Sequence, residues 1–280
     1  MRCDLHIHSY HSDGTWSPEK IASVCKEKQI DCFSVTDHNL LSAYPQAILA
    51  AEKYHLRCIP GVEIDCILNQ KSFHVLGYGV DFSNQSLLSL LKEARDVLDQ
   101  MSNRLIAALE ESPFDAEHFV SVKDYLNYRY DPARGGWKGL NYLFDRGVAH
   151  DFDSAMSLYS RYQITYEKSA FPSMQKTCET IRQAGGVAIL AHPSNYFPLD
   201  DKLEENLLQT VQAGVQGIEC YYPAQSPQYT RRCVDLCKAH RLFITCGSDS
   251  HGEFQKEING VRYEIGAASV DSDLLSLNLF

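Results

Sequence analysis

Cys3, Leu5 and Ile7 alternate with Asp4, His6 and His8, and that period of two predicts a strand over 2–8 with both histidines on one face. The rhythm then switches repeatedly between helix and strand. A helix is expected over 18–29, opened by Ser17-Pro18-Glu19, an N-cap followed by proline at the first helical position. Strands over 31–36 and 56–62 flank a helix over 42–54, and Ser72-Phe73-His74-Val75-Leu76-Gly77 reads as part of a hairpin. Beyond it, Leu87, Leu91, Ala94, Leu98, Met101, Leu105 and Leu109 fall at helical spacing, and helical patterns broken by polar and aromatic loops continue to about 167. Alternation then resumes, with helices expected over 173–184, 202–212 and 226–240 and strands over 187–191, 215–220 and 242–246; residues 260–265 are strand-like. The pattern predicts an α/β fold in which 1–82 and 171–280 form one discontinuous domain and 83–170 a helical insertion.

Composition narrows the class. At 280 residues with 44% hydrophobic positions, the chain can bury a large core. No apolar run reaches the roughly 18–20 residues of a membrane span, and Asp4 and His6 interrupt the stretch that a secretory signal would need. Ten cysteines lack any C-x-x-C pair and mostly sit in apolar runs, which points to reduced core thiols in a cytoplasmic protein. Cys233 and Cys237 share a helix face, but without further ligands nearby they make no metal site. A net charge of −10 argues against stable complexes with nucleic acid. It leaves room for a phosphorylated substrate, because bound divalent cations invert the potential of a pocket. The sequence carries no signature of a particular oligomeric state.

Candidate chemistry collects where strands end. His6, His8 and Asp13 open the chain; His38 follows strand 31–36, and Glu63 follows strand 56–62. His74 lies in the hairpin, His192 after strand 187–191, and Asp249 and His251 after strand 242–246. Taken alone, His6 and His8 could be scattered polar residues of an edge strand. In a parallel α/β barrel, however, strand ends converge on one rim, and imidazole and carboxylate together suit zinc, iron or manganese. The set exceeds the four ligands of a closed structural zinc, which favours a multinuclear catalytic centre. Asp37 is placed to support a ligand, whereas His11, His55, His118, His150 and His240 are expected at the surface.

In order, the segments Asp4–Asp13, Thr36-Asp37-His38, Gly61-Val62-Glu63, Phe73-His74-Val75, Ala191-His192-Pro193 and Gly247-Ser248-Asp249-Ser250-His251 resemble the PHP (polymerase and histidinol phosphatase) family. The resemblance implies a distorted (β/α)7 TIM-like barrel with two or three divalent ions (Mn, Fe or Zn). His6, His8, Glu63 and Asp249 would hold one ion, Asp13, His38 and His251 a second, and Glu63, His74 and His192 a third. Some relatives have histidine where Asp13 stands, and the oxygen favours manganese or iron. A metal-bound hydroxide would then cleave a phosphate ester, with Asp249 in the catalytic set.

The insertion and the run Gly217-Ile218-Glu219-Cys220-Tyr221-Tyr222-Pro223 resemble the tryptophan-operon-linked branch of that family. This implies a nucleoside 3′,5′-bisphosphate phosphatase or a 5′→3′ exoribonuclease on short RNA; a non-catalytic metal-binding module is the alternative from another class. In that branch an Arg-Pro-His segment faces the phosphate. Here the match is Ala133-Arg134-Gly135-Gly136-Trp137, with Arg134 as the expected phosphate clamp and glycine in place of the histidine. Trp137 would stack on a base or pack the insertion, and Asn195, Tyr196 and Tyr222 would line the rim. Arg95, Arg104 and Lys138 read first as solvated helix charges.

Overall fold

The computed structural model describes residues 1–112 and 119–276. Strand β1 (Arg2–Ile7) is followed by α1 (Pro18–Glu27), β2 (Cys32–Val35), α2 (Tyr44–Tyr54) and β3 (Arg57–Cys58). Strands β4 (Gly61–Leu68) and β5 (Lys71–Tyr78) form a hairpin, and α3 (Gln85–Glu110), α4 (Val122–Asn127), α5 (Lys138–Asp145) and α6 (Phe152–Arg161) follow. The chain continues through α7 (Met174–Gln183), β6 (Val187–Leu190), α8 (Leu203–Gln212), β7 (Gly217–Tyr221), α9 (Pro227–His240) and β8 (Phe243–Cys246). Short strands β9 (Glu257–Ile258), β10 (Val261–Arg262) and β11 (Val270–Asp271) complete the order. The helix starts follow their caps: Ser17, Ser173 and Ser226 each accept a bond from a backbone N–H three residues on.

Two main sheets form, in the orders β11-β1-β2-β3 and β4-β5-β6-β7-β8, and β9 pairs with β10 in a separate two-stranded sheet. Backbone bonds tie the two main sheets together at two seams. Asp249 N donates to His6 O at 2.8 Å and His8 N to Ser250 O at 2.9 Å; Asn39 N donates to Glu63 O at 2.7 Å. All of these bonds lie among the candidate ligands, so joining the sheets and building the site are one event. The sheets are not uniformly parallel, because β5 runs antiparallel to both β4 and β6.

The expected strand over 56–62 is corrected. Pro60 lacks an N–H and interrupts pairing, so β3 ends at Cys58 and a new strand begins at Gly61. Glu63 therefore sits inside β4, and the hairpin with β5 carries His74 towards it. The hairpin turns at Asn69 and Gln70, whose φ of 49° and 62° fit a primed turn.

Packing among the described residues separates three apolar clusters, one of them formed by Ile7, Ile21, Phe33, Val35 and Ala47 with α1 and α2. Leu5, Ile64, Val75, Leu76, Ile189 and Ile218 belong to the core around the larger sheet, joined by Leu87, Leu90 and Leu91 from the start of α3. From Ala94 onward α3 packs with Tyr125, Leu140, Tyr142 and Tyr159 of the insertion. One helix thus serves two of the clusters. Among the described residues no helix is long and apolar enough to cross a membrane.

Candidate metal centre

Both faces of β1 are buried: Cys3 and Leu5 enter the main core, while Asp4, His6 and His8 occupy the opposite face with no solvent exposure. The Nε2 atoms of His6 and His8 lie 3.1 Å apart. Gly247 lets the loop after β8 lie directly against His6, since a Cβ there would collide with His6 and Glu219. His192 and Asp249, just beyond β6 and β8, have positive φ values of 29° and 54°. Such backbone strain is tolerated where surrounding structure fixes a functional side chain.

Glu63 sits in the middle. Its Oε2 lies 3.3, 3.2 and 3.4 Å from nitrogens of His6, His8 and His38. Its Oε1 lies 3.1 Å from His74 Nδ1 and 2.9 Å from His192 Nε2. Asp249 Oδ1 is 3.4 Å from His6 and 3.2 Å from His8. Asp13 Oδ2 is 3.3 Å from His251 and 3.8 Å from His38. The donor atoms fall into overlapping groups, each within 4.8 Å: His6, His8, Glu63 and Asp249; His8, Asp13, His38 and His251; Glu63, His74 and His192; and His38, Asp65 and His74.

The donor set fits divalent cations. Glu63 Oε2, His8 Nδ1, His38 Nδ1 and His192 Nδ1 are buried without a hydrogen bond, a state that costs about 1–3 kcal/mol per group unless another partner is supplied. Mixed imidazole and carboxylate ligation suits zinc, iron and manganese. Electrostatics agree. Burial alone would raise the Glu63 carboxyl, but His6, His38 and His74 hold it well below its ordinary value. Burial likewise opposes ionisation of Asp13 and Asp249, and neighbouring imidazoles outweigh it for both. Burial would discharge His8, yet the Asp249, Glu63 and Asp13 carboxylates beside it push it up to about 10. His6 and His74 are also raised by their carboxylates against burial. His38 is the exception, lowered chiefly by burial. The carboxylates thus favour the protonated forms of His6, His8 and His74.

Several supporting acids lie behind the candidate ligands, and sequence reading singled out only one of them. Glu219 on β7, fully buried, faces His6 Nδ1 at 3.0 Å and accepts from His192 N at 2.7 Å. An acid inside the apolar run Gly217-Ile218-Glu219-Cys220 was the available signal. Asp4 accepts from Ser248 N and Gly266 N at 2.9 and 2.7 Å, anchoring the loop that bears Asp249. Asp37 accepts from Ser9 N, Ser9 Oγ and Ser12 Oγ at 2.7, 2.6 and 2.7 Å, so it braces the Asp13 loop rather than His38.

A cavity of about 760 Å³ opens over the centre, and Trp137, Asn195 and Tyr222 are among its lining residues. Tyr222 donates to Asp249 Oδ2 at 3.2 Å. Arg134 is a correction. Its fork is engaged by Asp145 at 2.9 and 2.8 Å, and it does not line the cavity. The lysine and arginine side chains among the lining residues are Arg95 and Lys138 instead. Arg95 donates to Asn39 O at 2.6 Å, and Lys138 Nζ sits 4.5 Å from the Tyr125 ring centre. Arg104 is exposed. His11 is also corrected: it is half-buried, lines the cavity and pairs with Ser42 Oγ at 3.1 Å. His55, His150 and His240 are exposed, and His118 lies outside the described residues.

Similar proteins share both sequence and fold. The chain is 26% identical over 253 residues to the 3′,5′-nucleoside bisphosphate phosphatase of Chromobacterium violaceum, covering 89% of this chain and 86% of that one. It is 24% identical over 255 residues to the 5′-3′ exoribonuclease Rnm of Escherichia coli, covering 89% and 84%. Among solved structures, a Bifidobacterium adolescentis protein provisionally assigned as a metal-dependent phosphoesterase superposes with a TM-score of 0.75 at 22% identity, covering 97% and 93%. The PHP domain model matches residues 4–168, from the first strand of the centre through the insertion. A strand-end ligand cluster and this match agree: the chain belongs to the PHP domain family.

Proposed function

We propose that the protein is a metal-dependent phosphoesterase that releases phosphate from a small phosphorylated metabolite or nucleotide, such as a nucleoside 3′,5′-bisphosphate. The observation that carries this reading is Glu63, buried among five imidazoles with one oxygen lacking any hydrogen bond. His6, His8, Asp13, His38, Glu63, His74, His192, Asp249 and His251 would hold two or three divalent ions. When bound, such ions generate a nucleophile at neutral pH and offset charge on the phosphoryl group.

The chain's own residues do the rest. Arg95 and Lys138 face the cavity and bring positive charge to an incoming phosphate. Tyr222 holds Asp249 in place, and Asn195 lies 3.4 Å from the Tyr222 hydroxyl on the rim. Trp137, Tyr125 and Phe152 present aromatic surface on the insertion side, suited to an apolar or planar substrate moiety. Residues 83–170 act as the lid of a discontinuous 1–82 and 171–280 domain. The two joined sheets are read as a distorted (β/α)7 barrel. Ten unpaired cysteines fit a reducing compartment, the cytoplasm.

A second reading, 5′→3′ exonuclease action on short RNA, is supported by the likeness to the E. coli exoribonuclease. Parallel incubation of metal-reconstituted protein with a nucleoside 3′,5′-bisphosphate and a 5′-phosphorylated oligoribonucleotide separates the readings. Inorganic phosphate from the bisphosphate alone supports the phosphatase; mononucleotide release from the oligomer supports the exonuclease; turnover of neither overturns both.

A further inference from the structure

Asp65 lies two residues beyond Glu63 on β4, so both carboxylates leave the same face of the strand. The antiparallel register sets Asp65 opposite His74, and cross-strand partners keep their side chains adjacent. His74 turns Nδ1 to Glu63 Oε1 at 3.1 Å, while its Nε2 stands 3.1 Å from Asp65 Oδ1. Asp65 is 1% exposed, and Oδ1 has no hydrogen bond. Its other oxygen accepts from Asn39 Nδ2, and its backbone N donates to Asn39 Oδ1 at 3.1 Å. Asn39 is itself fixed: its φ is 53°, its N donates to Glu63 O, and its carbonyl accepts from Arg95. Braced on one side, the carboxylate presents its remaining oxygen to His74.

We propose that Asp65 is a positioning residue for a cation held by Glu63, His74 and His192, acting by fixing the His74 ring from behind. A carboxylate behind a ligand imidazole sets the ring's orientation and raises its basicity, and removing such a partner typically costs 10- to 100-fold in metal affinity. A purely structural Asp65 would only join β4 to the Asn39 loop and would leave each ion's affinity unchanged. The inference rests on reading the Glu63–His74–His192 group as a metal site.

The test is manganese titration of the full-length, metal-stripped protein under chelator competition, with thermal unfolding of the metal-free forms measured alongside. Asp65→Asn keeps the shape of the side chain and removes its charge. The expected result is a 10- to 100-fold weaker affinity for one ion, with the remaining ions and metal-free unfolding as in wild type. Asn39→Ser loosens the brace while leaving the carboxylate; it should weaken the same ion by less, and it serves if Asp65→Asn does not fold. His74→Ala separates the levels of failure. If His74→Ala leaves all ions bound as in wild type, the metal reading at this group fails. If His74→Ala loses an ion that Asp65→Asn keeps at full affinity, the role of Asp65 alone is overturned.

Discussion

The floor of the cavity and its insertion wall are built by different rules. On the floor, His6, His8 and Glu63 have no solvent exposure; His6 and Glu63 occupy strands whose period and register dictate direction, and His8 directly follows β1. Loops immediately after strands add His38, His192, Asp249 and His251, and backbone bonds between the two sheets hold those loops together. On the wall, side chains come from helices and turns of the insertion, and their direction depends on how that body packs. Arg134 shows the consequence: a basic residue in the expected segment turns to Asp145, while Arg95 and Lys138 reach the cavity. The candidate ligands are thus anchored in sheet geometry, and the cavity wall in packing that a sequence pattern specifies weakly.

If the floor carries catalysis, Glu63→Gln produces the largest loss, more than the roughly 100-fold upper range for an outer-sphere partner. Steady-state phosphate release and metal content should fall together; loss of release with full metal content would break the account of Glu63 as a shared ligand. Glu219→Gln acts one step removed, through His6 and the His192 backbone. A decrease of about 10- to 100-fold in metal affinity or turnover is expected, and wild-type values would confine Glu219 to packing.

The wall is tested by substrate binding. Arg95→Met and Lys138→Met should each lower kcat/KM about tenfold or more, mainly through KM, as expected for a lost hydrogen bond to a charged group at about 1.5–3 kcal/mol. Arg134→Ala should change kcat/KM by less than about threefold, because a half-exposed ion pair contributes at most about 1 kcal/mol. The reverse ranking would restore Arg134 as the clamp.

Protonation tests the floor in a different way. His8 is held protonated up to about pH 10 without metal, so an incoming cation must displace its proton. The sign follows: affinity rises with pH, by about tenfold per unit for each proton displaced, between pH 6 and 9. Chelator competition across that range checks it, and a flat profile would contradict the charge balance described for the centre.

Most of the floor was legible in the sequence because its signals are local. Alternation in β1, a histidine after β2 and an Asp-Ser-His run after β8 need only strand geometry to converge. Glu63 was found for a partly wrong reason: Pro60 splits the strand that seemed to end there, and the β4–β5 hairpin delivers the residue instead. Glu219 and Asp65 escaped because a single acid in an apolar run discloses no partner until sheet register is known. His11 escaped because its placement depends on Ser42, a partner 31 residues away in a different loop. Arg134 failed because its ion pair with Asp145 decides its direction.

The central claim is that the strand-end cluster is a cation site that cleaves phosphate esters. Its most direct measurement is phosphate release from a nucleoside 3′,5′-bisphosphate, followed as manganese is titrated into metal-stripped protein, with bound ions counted in the same samples. The account predicts no release without metal and a rise that tracks occupancy in wild type but is lost in Glu63→Gln. Release that persists without bound ions, or full occupancy without release, would contradict it.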